Sequence, residues 1–161
     1  MKIRLAAVGK IHGPFAAPLA TYETRLRRYY SFDAAEVREE PARSKSVADR
    51  VCLEEGKRLL TRVSPGMETV AMHRGGVSWS SEHLSEYLAE LGIRASPGAA
   101  FLIGGAYGLS DEILHSATHL LSLSAFTLPH ELARLILTEQ LYRAGTIARG
   151  EPYHKARNPR S

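Results

Sequence analysis

The segment Phe101-Leu102-Ile103-Gly104-Gly105-Ala106-Tyr107-Gly108-Leu109 constrains this chain more than any other. Phe101 to Ile103 are apolar and suit a buried strand. Gly104, Gly105 and Gly108 then permit backbone turns and a close ligand approach that a Cβ would obstruct. Ser110-Asp111-Glu112 follow as a helix start, with a capping side chain and acids in the first turn. A strand that runs into a glycine loop and then a helix is where open α/β sheets bind ligands.

The flanking sequence supplies such a sheet. Lys2 to Val8 predicts a first strand, leaving through Gly9-Lys10. Leu19 to Tyr30 reads as a helix made basic by Arg25, Arg27 and Arg28, and Ala34 to Arg38 as a second strand. A polar loop from Glu39 to Ser46 precedes a helix from Val47 to Leu60, and Glu68 to His73 is a third strand ending in Arg74-Gly75-Gly76. Ser80 or Ser81 caps a helix whose Leu84, Tyr87, Leu88 and Leu91 follow three-and-four spacing, and Pro97-Gly98 turns the chain into the central strand. Beyond the glycine loop come a helix from Asp111 to about His119, a short strand from Leu120 to Phe126 and a last helix from His130 to Arg149. That helix carries Ala133, Ile136, Leu137, Leu141, Ala144, Ile147 and Ala148 as its main stripe, with Leu132 and Leu135 beside it. Such breadth predicts burial on two sides, against the domain and against another subunit. The β/α alternation predicts one α/β domain, a mostly parallel sheet with helices on both faces.

Composition narrows the class. The 161 residues suit one domain spanning 1–161, and an apolar fraction of 44% with 24% charged residues is ordinary for a soluble globular protein. A single cysteine, Cys52 between Val51 and Leu53, excludes an intramolecular disulfide framework and a cysteine-based zinc site. The apolar runs are too short to cross a bilayer, and the amino terminus reads as a strand rather than a signal core, so a cytoplasmic location is expected. A net charge of +4 and an isoelectric point near 9.4 favour a polyanionic partner such as RNA.

Motifs separate the possible ligands. Gly104-Gly105-x-x-Gly108 is not the dinucleotide fingerprint, no Walker lysine follows, and Ser124 stands where an acid would bind ribose. His115 and His119, four apart, lack the glutamate of a zinc-protease helix, since Ser116 occupies its position; no metal is expected. Trp79 reads as a packing residue rather than a stacking platform. The carboxyl-terminal run Arg149-Gly150-Glu151-Pro152-Tyr153-His154-Lys155, continued by Arg157 and Arg160, combines an aromatic ring, an imidazole and cations that can stack on a base and pair with phosphate. Residues 156–161 read as a flexible basic tail.

Taken together, these pieces resemble one family over nearly the whole chain. The matches are Ala7-Val8-Gly9-Lys10, Tyr22-Glu23, Arg25-Leu26 and Ile103-Gly104-Gly105-x-x-Gly108-Leu109. They continue through Leu123-Ser124-x-x-Thr127-Leu128-Pro129-His130, Glu139-Gln140-Leu141-Tyr142-Arg143-Ala144 and Pro152-Tyr153-His154. Their order and spacing resemble the ribosomal large-subunit pseudouridine N3-methyltransferases, within the SPOUT class of knotted methyltransferases. The resemblance implies a carboxyl-terminal trefoil knot, which periodicity does not reveal and which starts from a very low prior. It also implies a homodimer with S-adenosylmethionine in the knot loops, and a 23S rRNA hairpin of the assembled ribosome as substrate. Carried over by position, the cofactor residues are Met72, Gly104, Gly105, Leu123, Ser124, Ala125, Phe126, Thr127 and Leu128, and the candidate catalytic residues are Arg143, Tyr153 and His154. Where relatives often have an acid after the hydrophobic cofactor residue, this chain has His73. A non-catalytic RNA-binding assembly factor on the same fold is the alternative.

Overall fold

A computed structural model of the chain describes residues 1–155; the expected basic tail at 156–161 lies outside the described residues. Five strands form one sheet: β1 (Lys2–Val8), β2 (Ser31–Val37), β3 (Glu68–Ser78), β4 (Gly98–Ile103) and β5 (His119–Ser122). Their order across the sheet is β2-β1-β4-β3-β5, and every pairing is parallel. The helices are α1 (Ala16–Leu26), α2 (Ala48–Leu60), α3 (Ser81–Ile93), α4 (Asp111–Ser116) and α5 (His130–Ala148).

Strand alternation sorts side chains to two faces, and both are covered. Ile3, Leu5 and Ala7 of β1 share one cluster with Ala99, Phe101 and Ile103 of β4. Leu26 of α1, Leu84 and Leu88 of α3, and Leu137, Leu141 and Ala144 of α5 close that cluster. The intervening residues Ala6, Val8 and Leu102 point to the other face, against Leu59 of α2 and Ile113 of α4. β4 is buried along its whole length, as the central strand of a doubly covered sheet must be. Each fully buried leucine or phenylalanine there contributes roughly 1.5–3 kcal/mol against exposure.

The expected elements are all present, with shifted ends. α1 begins at Ala16, behind a 3-10 turn at Gly13–Phe15, so Pro18 falls in its first turn, where a missing N–H costs little. β2 starts at Ser31 because the Ser31 N–H donates to the Met1 carbonyl and the register with β1 runs from there. β3 extends to Ser78, with an irregularity between Met72 and Val77 where the chain bows away from β5. α4 stops at Ser116, since Ala117 is extended and Thr118 and Thr69 exchange backbone-to-hydroxyl bonds of 3.1 Å. His119 therefore begins β5 instead of ending a helix.

Candidate active site

The carboxyl ends of β3, β4 and β5 open into a cavity of about 640 Å³, within the usual size of ligand pockets. Its floor and walls come from Met72, Ile103 and Leu121 at the strand ends, the glycine loop Gly104–Leu109, and the segment Leu123–Leu128 leading to α5. This is the position at which open parallel sheets take ligands.

The glycine loop is tight. Gly108 sits at φ +82 and donates its N–H to the Gly105 carbonyl at 3.0 Å. A Cβ on Gly104 would lie 2.6 Å from the Gly108 carbonyl oxygen and 2.8 Å from the Leu109 nitrogen. A side chain there would force the loop open, so glycine lets the loop fold back on itself and present its backbone to the cavity, which is the sense in which the residues fit a bound group. Ser110 then caps α4 by accepting from the Ile113 N–H, as its place in the sequence implied. The facing segment is held by hydroxyls. The Ser122 Oγ lies 3.1 Å from the Arg74 carbonyl and 3.0 Å from the Ser124 carbonyl, and the Ser124 Oγ accepts the Phe126 N–H. Arg74 donates to the Thr127 Oγ1 at 3.1 Å, tying the bow in β3 to that segment.

Of the residues expected at a cofactor, Met72, Gly104, Gly105, Leu123, Ser124, Phe126, Thr127 and Leu128 all line the cavity. Ala125 is exposed and outside the lining, and Phe126, though lining it, is 81% exposed. The lining also includes Lys45, His73, Arg74 and His130, and among the described lining residues there is no carboxylate. Lys45 reaches the cavity from the polar loop before α2, a contact that nothing local in the sequence reveals. His73 accepts the Gly75 N–H on Nδ1, so its ring hydrogen falls on Nε2 in the neutral form.

Arg143, Tyr153 and His154 converge on one another but are absent from the cavity lining. The Arg143 guanidinium lies 4.8 Å from the Tyr153 ring centroid and donates to Glu139. Burial disfavours the Arg143 charge, but the Glu139 carboxylate more than offsets it and raises the guanidinium above its usual value. Tyr153 donates to Glu139 at 2.9 Å; burial, then the bonds with Tyr22 and Glu139, push its phenol up, so it keeps its hydrogen at neutral pH. His154 stands with Nε2 2.7 Å from Glu82 and Nδ1 3.3 Å from Arg143. Arginine can only donate, so Nδ1 accepts and Nε2 carries the hydrogen towards Glu82. Both ring nitrogens are thus engaged in this conformation. The trio and the cavity share α5: His130 and Ala133 face the cavity and Arg143 lies ten residues further on, about 15 Å along the axis.

Other candidates resolve into packing. Trp79 stacks edge-on or tilted with His83, Tyr87 and His119 at 4.9–5.3 Å. His115 bonds the Asp111 carbonyl within α4, whereas His119 belongs to β5 and faces Glu68. Cys52 is buried, with its Sγ 3.3 Å from the Tyr107 carbonyl. Among the described residues no helix is long and apolar enough to cross a membrane.

A doubly covered parallel sheet with a glycine-walled cavity at its strand ends defines the class, and comparison with known proteins gives the family. The sequence model of the family described as predicted SPOUT methyltransferase matches residues 1–154, and the chain belongs to that family. Among curated relatives, "Ribosomal RNA large subunit methyltransferase H" of Gemmatimonas aurantiaca is 43% identical over 156 residues, covering 96% of this chain and all of the relative. The protein of the same name from Syntrophotalea carbinolica is 42% identical over 155 residues, covering 96% and 99%. Two solved structures share the fold at low identity. One, from Bordetella pertussis, is described as "Probable Methyltransferase" and aligns with TM-score 0.53 and 13% identity over 88% of this chain and 95% of its own. The other, from Legionella pneumophila, is described in complex with bound cofactor SAM and aligns with TM-score 0.51 and 16% identity over 89% of this chain and 66% of its own.

Proposed function

We propose that this protein transfers a methyl group from S-adenosylmethionine to N3 of a pseudouridine in a hairpin of 23S rRNA, on the assembled ribosome, as a cytoplasmic homodimer of single-domain knotted chains. The observation that carries this reading is the cavity: two backbone loops with a glycine cradle, rimmed by Lys45, His73, Arg74 and His130 with no described carboxylate. Such a rim suits a polyanionic substrate.

When bound, S-adenosylmethionine supplies a methyl group already activated on a sulfonium, so what the chain must add is alignment. Gly104 and Gly105 admit the close approach, while Met72, Leu123 and Leu128 offer apolar wall and Ser124 and Thr127 polar contacts. The N3–methyl bond forms as the sulfur–methyl bond breaks, and the N3 proton must leave. His154 accepts it once the base displaces Arg143 from Nδ1, and Tyr153 stacks on or donates to the base. The roughly 15 Å between cavity and trio along α5 favours a dimer in which one protomer's tail serves its partner's cavity. Leu132, Leu135 and Ile136 of α5, left half-buried in the single chain, are the surface such a dimer would cover.

The test is direct. Protein incubated with methyl-labelled cofactor and either free rRNA or ribosomes lacking the modification should label N3 of one pseudouridine. No label on either substrate, beside an active control enzyme, overturns the proposal. Binding to ribosomal particles without cofactor affinity would establish the assembly-factor reading in its place.

A further inference from the structure

One buried acid has no place in that mechanism. Glu55 lies on the face of α2 that packs behind the glycine loop and is only 3% exposed. Its Oε2 accepts the Glu40 N–H at 3.1 Å, while its Oε1 has no hydrogen-bond partner among the described residues. That orphan oxygen faces the loop: a Cβ on Gly105 would lie 2.9 Å from it, with Val8 Cγ1 at 3.0 Å. The same face holds the loop at two further points, through Cys52 Sγ on the Tyr107 carbonyl and through Gly56, where a Cβ would lie 2.7 Å from the Ser110 Oγ.

We propose that Glu55 is the positioning residue of the glycine loop, its uncommitted carboxyl oxygen setting how far Gly104 and Gly105 stand from α2 and so the shape of the cavity wall. It rests on the cofactor reading above. The charges around it favour the neutral acid. Glu39 and Glu40 face it from the loop after β2, and the nearby cations Arg58 and Arg50 are both spent on Glu40. From its own helix Cys52 is close, with a thiol pushed up by burial and then by Glu55 itself. Val8 and Gly105, from β1 and the glycine loop, bring no charge. Burial, before the neighbouring carboxylates, raises the Glu55 carboxyl above the usual range, against the lowering effects of the Glu40 amide and Arg58. With Oε2 accepting an amide, the acid hydrogen falls on Oε1, the oxygen under Gly105. Ionisation would leave a buried charged oxygen without a donor, and the loop would lift to admit water. A carboxyl raised in the closed state supports that state fully at low pH and ceases to do so as pH rises through the raised value.

Calorimetry of S-adenosylmethionine binding to the full chain tests this from the ordinary glutamate range upwards in pH. Wild-type affinity should fall severalfold as the pH rises. Glu55→Gln, which keeps a neutral group in the same shape, should hold the wild-type low-pH affinity throughout, after the cofactor's own titration is cancelled by comparing the two proteins. Glu55→Ala should bind about tenfold more weakly at every pH. Glu55→Gln that titrates like the wild type, or Glu55→Ala with wild-type affinity, overturns the proposal. An independent readout needs no cofactor: the Gly105 amide resonance should shift with pH in the wild type, with a midpoint above the ordinary glutamate range, and stay flat in Glu55→Gln. Failure of wild-type protein to bind cofactor would count against the methyltransferase reading, while the resonance still decides the role of Glu55.

Discussion

A methyl group at Gly104 would meet the Gly108 carbonyl and the Leu109 amide, both backbone groups with no freedom to swing aside. Gly104→Val should therefore lose S-adenosylmethionine affinity by at least about tenfold in calorimetry, a cost of about 1.4 kcal/mol or more. Unchanged affinity in a folded variant would remove the loop from the cofactor site. His154→Ala should behave oppositely, with cofactor affinity kept and turnover on ribosomes reduced, because His154 touches Arg143 and Glu82 and not the cavity. The individual residues most legible in the sequence were those whose role is local. Ser80 and Ser110 cap helices through bonds to residues three positions on, His83 and Ile113. Glu55 was illegible, since its meaning depends on Gly105, fifty positions away in the chain.

Elements pack through a few positions where a side chain has no room. Gly145 on α5 is one: a Cβ there would lie 2.6 Å from Tyr29 Cγ, where the end of α1 leads into β2. Gly145→Ala should destabilise the protein by about 1–3 kcal/mol, read as an earlier midpoint in urea with unchanged slope. Gly98 is stricter still. At φ +136, its Cβ would fall on the backbone of Lys2, so Gly98→Ala blocks the β1–β4 register and should leave little folded protein after expression. Arg134 ties α5 to α1 and β2 through Glu23 at 3.4 Å and Glu36 at 2.7 Å, while 6% exposed. Helix existence followed from spacing and caps, but strand ends did not: β2, β3 and β5 are bounded by the partners they pair with. Pairing is a property of two segments at once, and neither carries it alone.

At the scale of the whole molecule, cavity and tail trio are separate in one chain, and a dimer is proposed to join them. Mixing protomers separates the possibilities. Gly104→Val and His154→Ala, each impaired when prepared alone, should recover activity when co-refolded if loop and tail come from different subunits. No recovery in verified mixed dimers would place both in the same chain. The basic rim makes a second prediction. Lys45→Ala should leave cofactor affinity intact, raise the KM for ribosomes, and lower the salt dependence of RNA binding by a slope of about one. A variant with the wild-type slope would show that Lys45 meets no phosphate.

The sequence by itself determined the alternation of strands and helices, the strand–glycine–helix turn, two helix caps and the family, because each is written in neighbouring residues or in an ordered set of short motifs. Eight of the nine positions that the family resemblance singled out line one cavity in the structure. Only the tertiary structure decided that Lys45, His73, Arg74 and His130 share its rim, that His154 is held at both nitrogens, and that a buried acid stands behind Gly105. These depend on a strand order, β2-β1-β4-β3-β5, that differs from the chain order, bringing together residues that no local pattern connects.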